Sequence, residues 1–388
     1  DEHERKITIN TSIAHVEAKG VKINLIDTPG YGIFSTDAMQ GLRVADAALM
    51  MISAVAGVEV QTDKMWKAAT DNDLPVFFVV NLMDRDRADF PRVVEALEKK
   101  FGREVTPLQL PIGAEGDFTG VVDLMSGKAF TWEHDESGKF TEGDVPADMA
   151  DEVSAAREAL MEMVAEQDEE LMEKYLEEGE LDAETFARGL KKAVTARELF
   201  PVFAAAASKN IGVQPIMDAL VDLAPAPDWR SVTVTVDGEE QEFTASTDSP
   251  FAAYVFKSIS DPFAGHITLF RVFSGGIATD ANVTNSTQDG VERLGSLSVI
   301  QGKDVEHVPE LAPGDIGALP KLKDTRTGDT LCEAKQNISI APVPIPEPAI
   351  SFALEPESKD DENKLATALA KIRDEDPTIT VGRDPVSY

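Results

Sequence analysis

The stretch Val21-Lys22-Ile23-Asn24-Leu25-Ile26-Asp27-Thr28-Pro29-Gly30 changes character at one residue. Six positions suit a buried strand, and then come a carboxylate, a hydroxyl and a Pro-Gly turn. An open α/β sheet holds a phosphate and its metal with an acid at a strand's carboxyl end, followed by a glycine whose amide is open to close approach. The same letters also fit a strand ending in a plain turn, so the flanking chain has to decide.

Working outward, residues 7–16 partly alternate between apolar and polar, and Lys19-Gly20 supplies a turn before 21–26. A hairpin at the edge of a sheet is expected. Downstream, 38–44 reads as a helix, 47–53 as a buried strand, 61–70 as a helix, 75–80 as a second buried strand and 90–101 as an amphipathic helix. Continuous apolar strands separated by helices imply a parallel sheet covered on both faces. Past 108–113 the pattern breaks into short strands over 118–140 and acidic helices over 147–192. The helices' stripe of Leu160, Met163, Val164, Leu171, Met172, Tyr175 and Leu176 reads as core. The parallel pattern resumes at 199–205 and 213–223, so 113–197 reads as an insertion.

A proline-stiffened exit at 224–228 leads into strand candidates at 250–260, 266–274, 283–286 and 293–299, best suited to a small antiparallel barrel. Four prolines within 342–348 mark another joint, after which a strand at 349–355 and a helix at 362–373 open a third unit. The expected domains are therefore 1–228, 229–341 and 342–388.

With 36 Lys+Arg against 70 Asp+Glu, the chain carries a net charge of −34, which argues against a basic stripe that grips nucleic acid by its phosphates. The single cysteine, Cys332, excludes an internal disulfide framework, and the five histidines (His3, His15, His134, His266, His307) show no metal-ligand spacing. The longest apolar runs, around 47–58 and 199–207, are shorter than the ~18 residues of a membrane span. A soluble protein of a reducing cytoplasm is expected, with no membrane partner.

Three segments at strand ends carry candidate chemistry, and they are expected to meet on one rim of the sheet. At Asp27-Thr28-Pro29-Gly30, Asp27 suits a magnesium ion held through water and Gly30 a terminal phosphate. At Asn81-Leu82-Met83-Asp84, the carboxylate of Asp84 suits the paired N–H donors on one edge of guanine. The Asn also fits a structural turn. At Ala206-Ala207-Ser208-Lys209-Asn210, a backbone amide suits a base carbonyl. The 81 − 27 = 54 residues between the first two leave room for about two strand–helix units.

On these residues the sequence resembles the translational GTPases, specifically the elongation factor G family, over essentially its whole length. Arg5-Lys6-Ile7-Thr8-Ile9 is similar to the end of the family's first switch, and Asn24 to Gly30 to its second. Asn81 to Asp84 occupies the guanine-specifying motif. Residues 107–113 with Gly120-Val121-Val122-Asp123-Leu124 are similar to the start of the family's inserted subdomain. Phe256 to Gly265 and Thr325 to Leu331 resemble its second domain, and Pro346-Glu347-Pro348-Ala349-Ile350 with Glu375-Asp376-Pro377 the opening of its third.

The resemblance implies an α/β GTPase domain, mostly parallel with an inserted α+β subdomain, then an antiparallel β-barrel and the start of an α+β domain. It implies GTP/GDP and Mg2+ as cofactors, with Thr8 and Asp27 on the metal, and Gly30, Asn81, Asp84, Ala207 and Ser208 on the nucleotide. The implied partner is the ribosome, both rRNA and ribosomal proteins, and a monomer is expected. Tyr31 stands where the family's water-positioning His would be. Lys6 replaces a glycine, Leu82 a lysine and Ala206 a serine, departures that suggest an elongation factor G-like paralogue. No G-x-x-x-x-G-K-[ST] loop occurs in the chain, and since it opens inside the first switch this loop is expected upstream of Asp1. The chain alone is therefore expected to be inactive. The alternatives are a GTP-binding ribosome factor with little hydrolysis and a ribosomal protection-type factor.

Overall fold

A computed structural model describes residues 2–261, 265–345, 347–348, 350–354, 356 and 358–382. The chain divides into two compact units. One comprises Glu17–Ile23 and Ala45–Pro225, the other Asp1–Val16, Asn24–Val44 and Ala226–Tyr388.

The helix α1 (Glu2–Arg5) precedes a hairpin of β1 (Ser12–Ala18) and β2 (Val21–Asp27), and α2 (Ser35–Arg43) follows it. The first unit is then built on β3 (Ala48–Ser53), α3 (Val60–Asp71), β4 (Val76–Asn81), α4 (Phe90–Phe101), β5 (Val105–Pro107) and β10 (Phe200–Ala204), with α8 (Val213–Leu223) after it. The sheet runs β3-β4-β10-β5 with every pairing parallel. Continuous burial of β4 and β10 shows why: Phe77, Phe78, Val79, Val202 and Phe203 are covered on both faces. Between β5 and β10 lies an antiparallel sheet, β6 (Gln109–Ile112), β7 (Gly120–Asp123), β8 (Lys128–Trp132) and β9 (Phe140–Gly143), then the helices α5 (Ala150–Ala165), α6 (Glu169–Glu178) and α7 (Ala183–Thr195).

The expected stripe on these helices is only partly right. Leu160, Val164 and Leu171 are in the core and Met172 and Tyr175 pack against it, but Leu176 is 75% exposed. It sits in the last turn of α6, which a left-handed Gly179 ends before it can be covered. Asp168 and Asp182 cap α6 and α7 and are held by Lys192 and Lys174, each at 2.5 Å. These lysine hydrogen bonds first, and the cap amides next, depress both carboxyl pKa values. A depressed carboxyl stabilises the fold above its unfolded pKa, and that contribution is lost as pH falls through the folded one. The deficit in thermal midpoint of Asp182→Asn is therefore expected to be present at pH 7 and to close as pH drops below about 4.

The second unit contains a three-stranded antiparallel sheet, β11 (Val232–Val236), β12 (Glu239–Phe243) and β23 (Ile338–Ile340). Its main sheet uses β13 (Ala252–Asp261), β14 (Gly265–Ser274), β16 (Asn282–Asn285), β17 (Gly290–Arg293), β18 (Ser298–Gln301), β19 (Asp304–His307), β21 (Ile316–Pro320) and β22 (Thr330–Glu333), in the order β17-β16-β22-β13-β14-β21-β18-β19. A clip of β15 (Ile277–Ala278) and β20 (Glu310–Leu311) completes it. Period-2 alternation sends Ala252, Tyr254 and Phe256 into one core and Ala253 and Val255 into another. The expected fold class, a parallel α/β domain before an antiparallel sheet-rich one, is what the chain adopts.

Three expectations fail. The hairpin is not an edge of the parallel sheet: among the described residues β1 and β2 pair only with each other, and Ile13 and Ile26 pack on the core that contains Tyr254 and Phe256. The strand expected over 293–299 is broken at 294–297, where Leu294 and Leu297 both turn into the core. Residues 350–354 form no strand, and 349 and 355 lie outside the described residues. The helix expected there is α9 (Lys359–Glu375). Residues 262–264 of the resemblance also lie outside the described residues, as do 346 and 349.

Candidate nucleotide-binding site

Parallel register sets the base side of the site. Ala204 lies beside Val80, so β4 and β10 leave the sheet at the same level and deliver Asn81 and Ala205 to one rim. The Ala205 amide donates to Val80 O at 2.9 Å, the Met83 amide to Ala205 O at 3.2 Å, and the Ala207 amide to Asn81 Oδ1 at 3.0 Å. Two of the three expected segments are thus stitched together, and Asn81 organises the rim as well as lining it. Within 206–210, the segment expected to offer a backbone amide to a base carbonyl, the Ala207 amide donates to Asn81 Oδ1. Ala207 and Ser208 themselves are exposed.

Asp84 closes this rim. Its side chain is 15% exposed, with Oδ2 at 4.0 Å from Arg85 Nε, while Oδ1 is buried and, among the described residues, accepts no hydrogen bond. A buried carboxylate oxygen without a donor carries a desolvation cost that a ligand N–H removes. Leu82, between them, holds a left-handed φ of 65°, an unfavourable geometry for a γ-branched residue.

The phosphate-side candidates lie on the hairpin and its flanks. Asp27 ends β2 and is exposed, yet its pKa is raised, by partial burial first and by the charge of Glu2 second. Glu2 was not legible as a site residue, since a four-residue helix leaves no pattern. Its Oε1 accepts the Ile9 amide at 2.7 Å and the Asn10 amide at 3.0 Å, and so folds the loop that carries Thr8. Lys6, in that loop, has φ 54°, where a glycine would sit without strain. Among the described residues no atom lies within 4 Å of a Cβ added at Gly30, so its surface is open to approach. Tyr31 is 57% exposed and starts a single 3-10 turn, Gly32–Phe34.

Behind these residues, α2 is anchored to the antiparallel sheet. Asp37 Oδ2 receives Lys257 Nζ at 2.5 Å and the Thr11 amide at 3.2 Å, with Lys257 7% and Asp37 18% exposed. Tyr254 Oη donates to Gln40 Oε1 at 3.0 Å and accepts the Val343 amide, and Arg271 Nη1 reaches Val44 O. Removing one member of a buried ion pair costs about 3–5 kcal/mol. Lys257→Met is expected to lower the stability of this unit by about that amount in urea titration, and Asp37→Asn with Lys257→Met by less than the two singles together.

Comparison with known proteins decides what this arrangement belongs to. The elongation factor Tu GTP-binding domain model matches residues 1–226, the elongation factor G domain 2 model 250–334, and the elongation factor G domain III model 345–387. The chain belongs to the elongation factor G family of translational GTPases. A crystal structure of a protein from Thermus thermophilus superposes with a TM-score of 0.86 at 31% identity. The match covers 99% of this chain and 55% of that one, so this chain spans about half of that protein's length. A guanine nucleotide-binding domain of translation elongation factors is therefore present. Among the described residues no helix is long and apolar enough to cross a membrane, and no group of three or more His, Cys, Asp or Glu is placed to hold a metal.

Proposed function

We propose that the protein is an elongation factor G-like GTPase that acts on the ribosome, driving translocation or a related remodelling step. Asp84 carries the reading. Its buried, partnerless Oδ1 fits the paired N–H donors of guanine, and adenine has no such pair on that edge. Asn81, Gly30, Ala207 and Ser208 complete the nucleotide contacts in this reading, over domains 1–228, 229–341 and 342–388.

Asp27 and Glu2 fit a cation, because a positive ion would offset both the partial burial that chiefly raises the Asp27 pKa and the Glu2 charge that adds to it. Thr8 Oγ1 and Asp27 would hold the ion, being hard oxygen donors of the kind Mg2+ takes. The metal, when bound, neutralises phosphate charge. The chain's own residues do the rest: Gly30 leaves room for a terminal phosphate, and Asp37 and Gln40 link any shift of the 27–34 segment to β13 through Lys257 and Tyr254. The acidic face of α5–α7 suits basic ribosomal proteins, while other domains meet rRNA. A cytoplasmic monomer is the expected state.

Phosphate release by the full-length protein, with and without ribosomes, tests this. Ribosome-dependent turnover of GTP but not ATP is expected, and turnover that ignores both ribosome and base would refute it. A second reading, binding with little hydrolysis, is favoured by Tyr31, whose phenol is a poor base.

A further inference from the structure

Strands β8 and β9 are joined by a tight loop, 133–139. Asp135 Oδ1 accepts the Ser137 amide at 2.9 Å, and Ser137 Oγ accepts the Lys139 amide at 3.1 Å. The loop lies against the segment that follows β10. Lys209 Nζ donates to Glu136 Oε1 at 2.6 Å, with the two side chains 44% and 60% exposed. Gly138, at φ 72°, comes so close that an added Cβ would collide with the Asn210 side-chain amide and lie 2.9 Å from Gln214 Nε2. Those side-chain ends can shift, so it is the left-handed φ that calls for glycine at this turn.

The Ala207 amide donates to Asn81 Oδ1 and the Met83 amide to Ala205 O, so the segment that carries Lys209 runs beside the one that carries Asp84. The Lys209 hydrogen bond to Glu136 and that carboxylate's charge are the larger causes of its raised pKa, and the charge of Asp84 acts in the same direction. Among the described residues only Glu136 holds it by a hydrogen bond. An ammonium on a flexible stem moves to the next carboxylate when its partner is removed.

We propose that Glu136 is a positioning residue for the base site: by holding Lys209 it keeps the ammonium away from Asp84 and so keeps the Asp84 carboxylate available to the N–H donors of a guanine base. A loop of the inserted subdomain thus sets how tightly the nucleotide is held. The inference rests on the guanine reading above.

The test is the dissociation rate of a fluorescent GDP from full-length protein, by stopped flow. Glu136→Gln is expected to speed release about three- to tenfold at low salt, with the difference shrinking as ionic strength rises. Lys209→Met in the same chain removes the competing ammonium, so the double variant is expected within about twofold of Lys209→Met alone. A Glu136→Gln rate equal to wild type, or a double variant as fast as Glu136→Gln, overturns the proposal. A wild type that holds no GDP at all would instead defeat the guanine reading, and this proposal with it.

Discussion

Tyr31→His is expected to raise ribosome-stimulated phosphate release by full-length protein about 10²- to 10⁴-fold, the usual contribution of a well-placed general base. An imidazole with a pKa near 6.5 accepts a proton at neutral pH, whereas a phenol with a pKa near 10 holds its own. The change is local. Tyr31 is 57% exposed, and its structural duty is a backbone one, its carbonyl accepting the Phe34 amide at 2.9 Å. GDP affinity is therefore expected to stay within about twofold of wild type, because only an interaction made in the transition state changes. A rate unchanged from a slow wild type would mean that hydrolysis does not run through position 31. A fast wild type would dismiss the reading of a factor that binds without hydrolysing.

Asp84→Asn is expected to cost at least about 10² in GDP affinity, since two hydrogen bonds to a charged acceptor are worth about 1.5–3 kcal/mol each. The same change should improve binding of xanthosine diphosphate, whose base presents a carbonyl where guanine presents an amino group. An Asn amide can donate to that carbonyl. Because Oδ1 has no protein donor to lose, the thermal midpoint of the nucleotide-free protein is not expected to fall. Loss of function without loss of stability separates a ligand-facing acid from a structural one.

Much of this was legible in the letters. Helices α4 and α8 stand where amphipathic spacing puts them, and β4 and β10 where continuous apolar runs do, because burial on both faces leaves few other options for Phe77, Phe78, Val202 and Phe203. Where the β1–β2 hairpin packs was not legible. Hairpin spacing fixes that β1 and β2 meet, but whether they join a sheet depends on residues distant in sequence, and here Ile13 and Ile26 find the core around Tyr254. In the same way, Asn81 and Asp84 were readable from a short motif. Glu2, Asp37 and Lys257 were not, because each gains its meaning only from a partner elsewhere in the chain: Glu2 from the Ile9 and Asn10 amides, and Asp37 from Lys257, 220 positions away. The hydrogen bond from the Ala207 amide to Asn81 Oδ1 spans 126 positions and left no trace in the sequence. Fold followed local pattern, and site geometry followed long-range pairing.

In the function proposed above, Asp84 selects guanine. The most direct test is a competition titration on full-length protein, displacing a fluorescent GDP with unlabelled GDP, ADP and xanthosine diphosphate, in wild type and in Asp84→Asn. The expected order is GDP far ahead of the other two in wild type, with xanthosine diphosphate overtaking GDP in the variant. Equal displacement by GDP and ADP in wild type, or an unchanged order in Asp84→Asn, would contradict it.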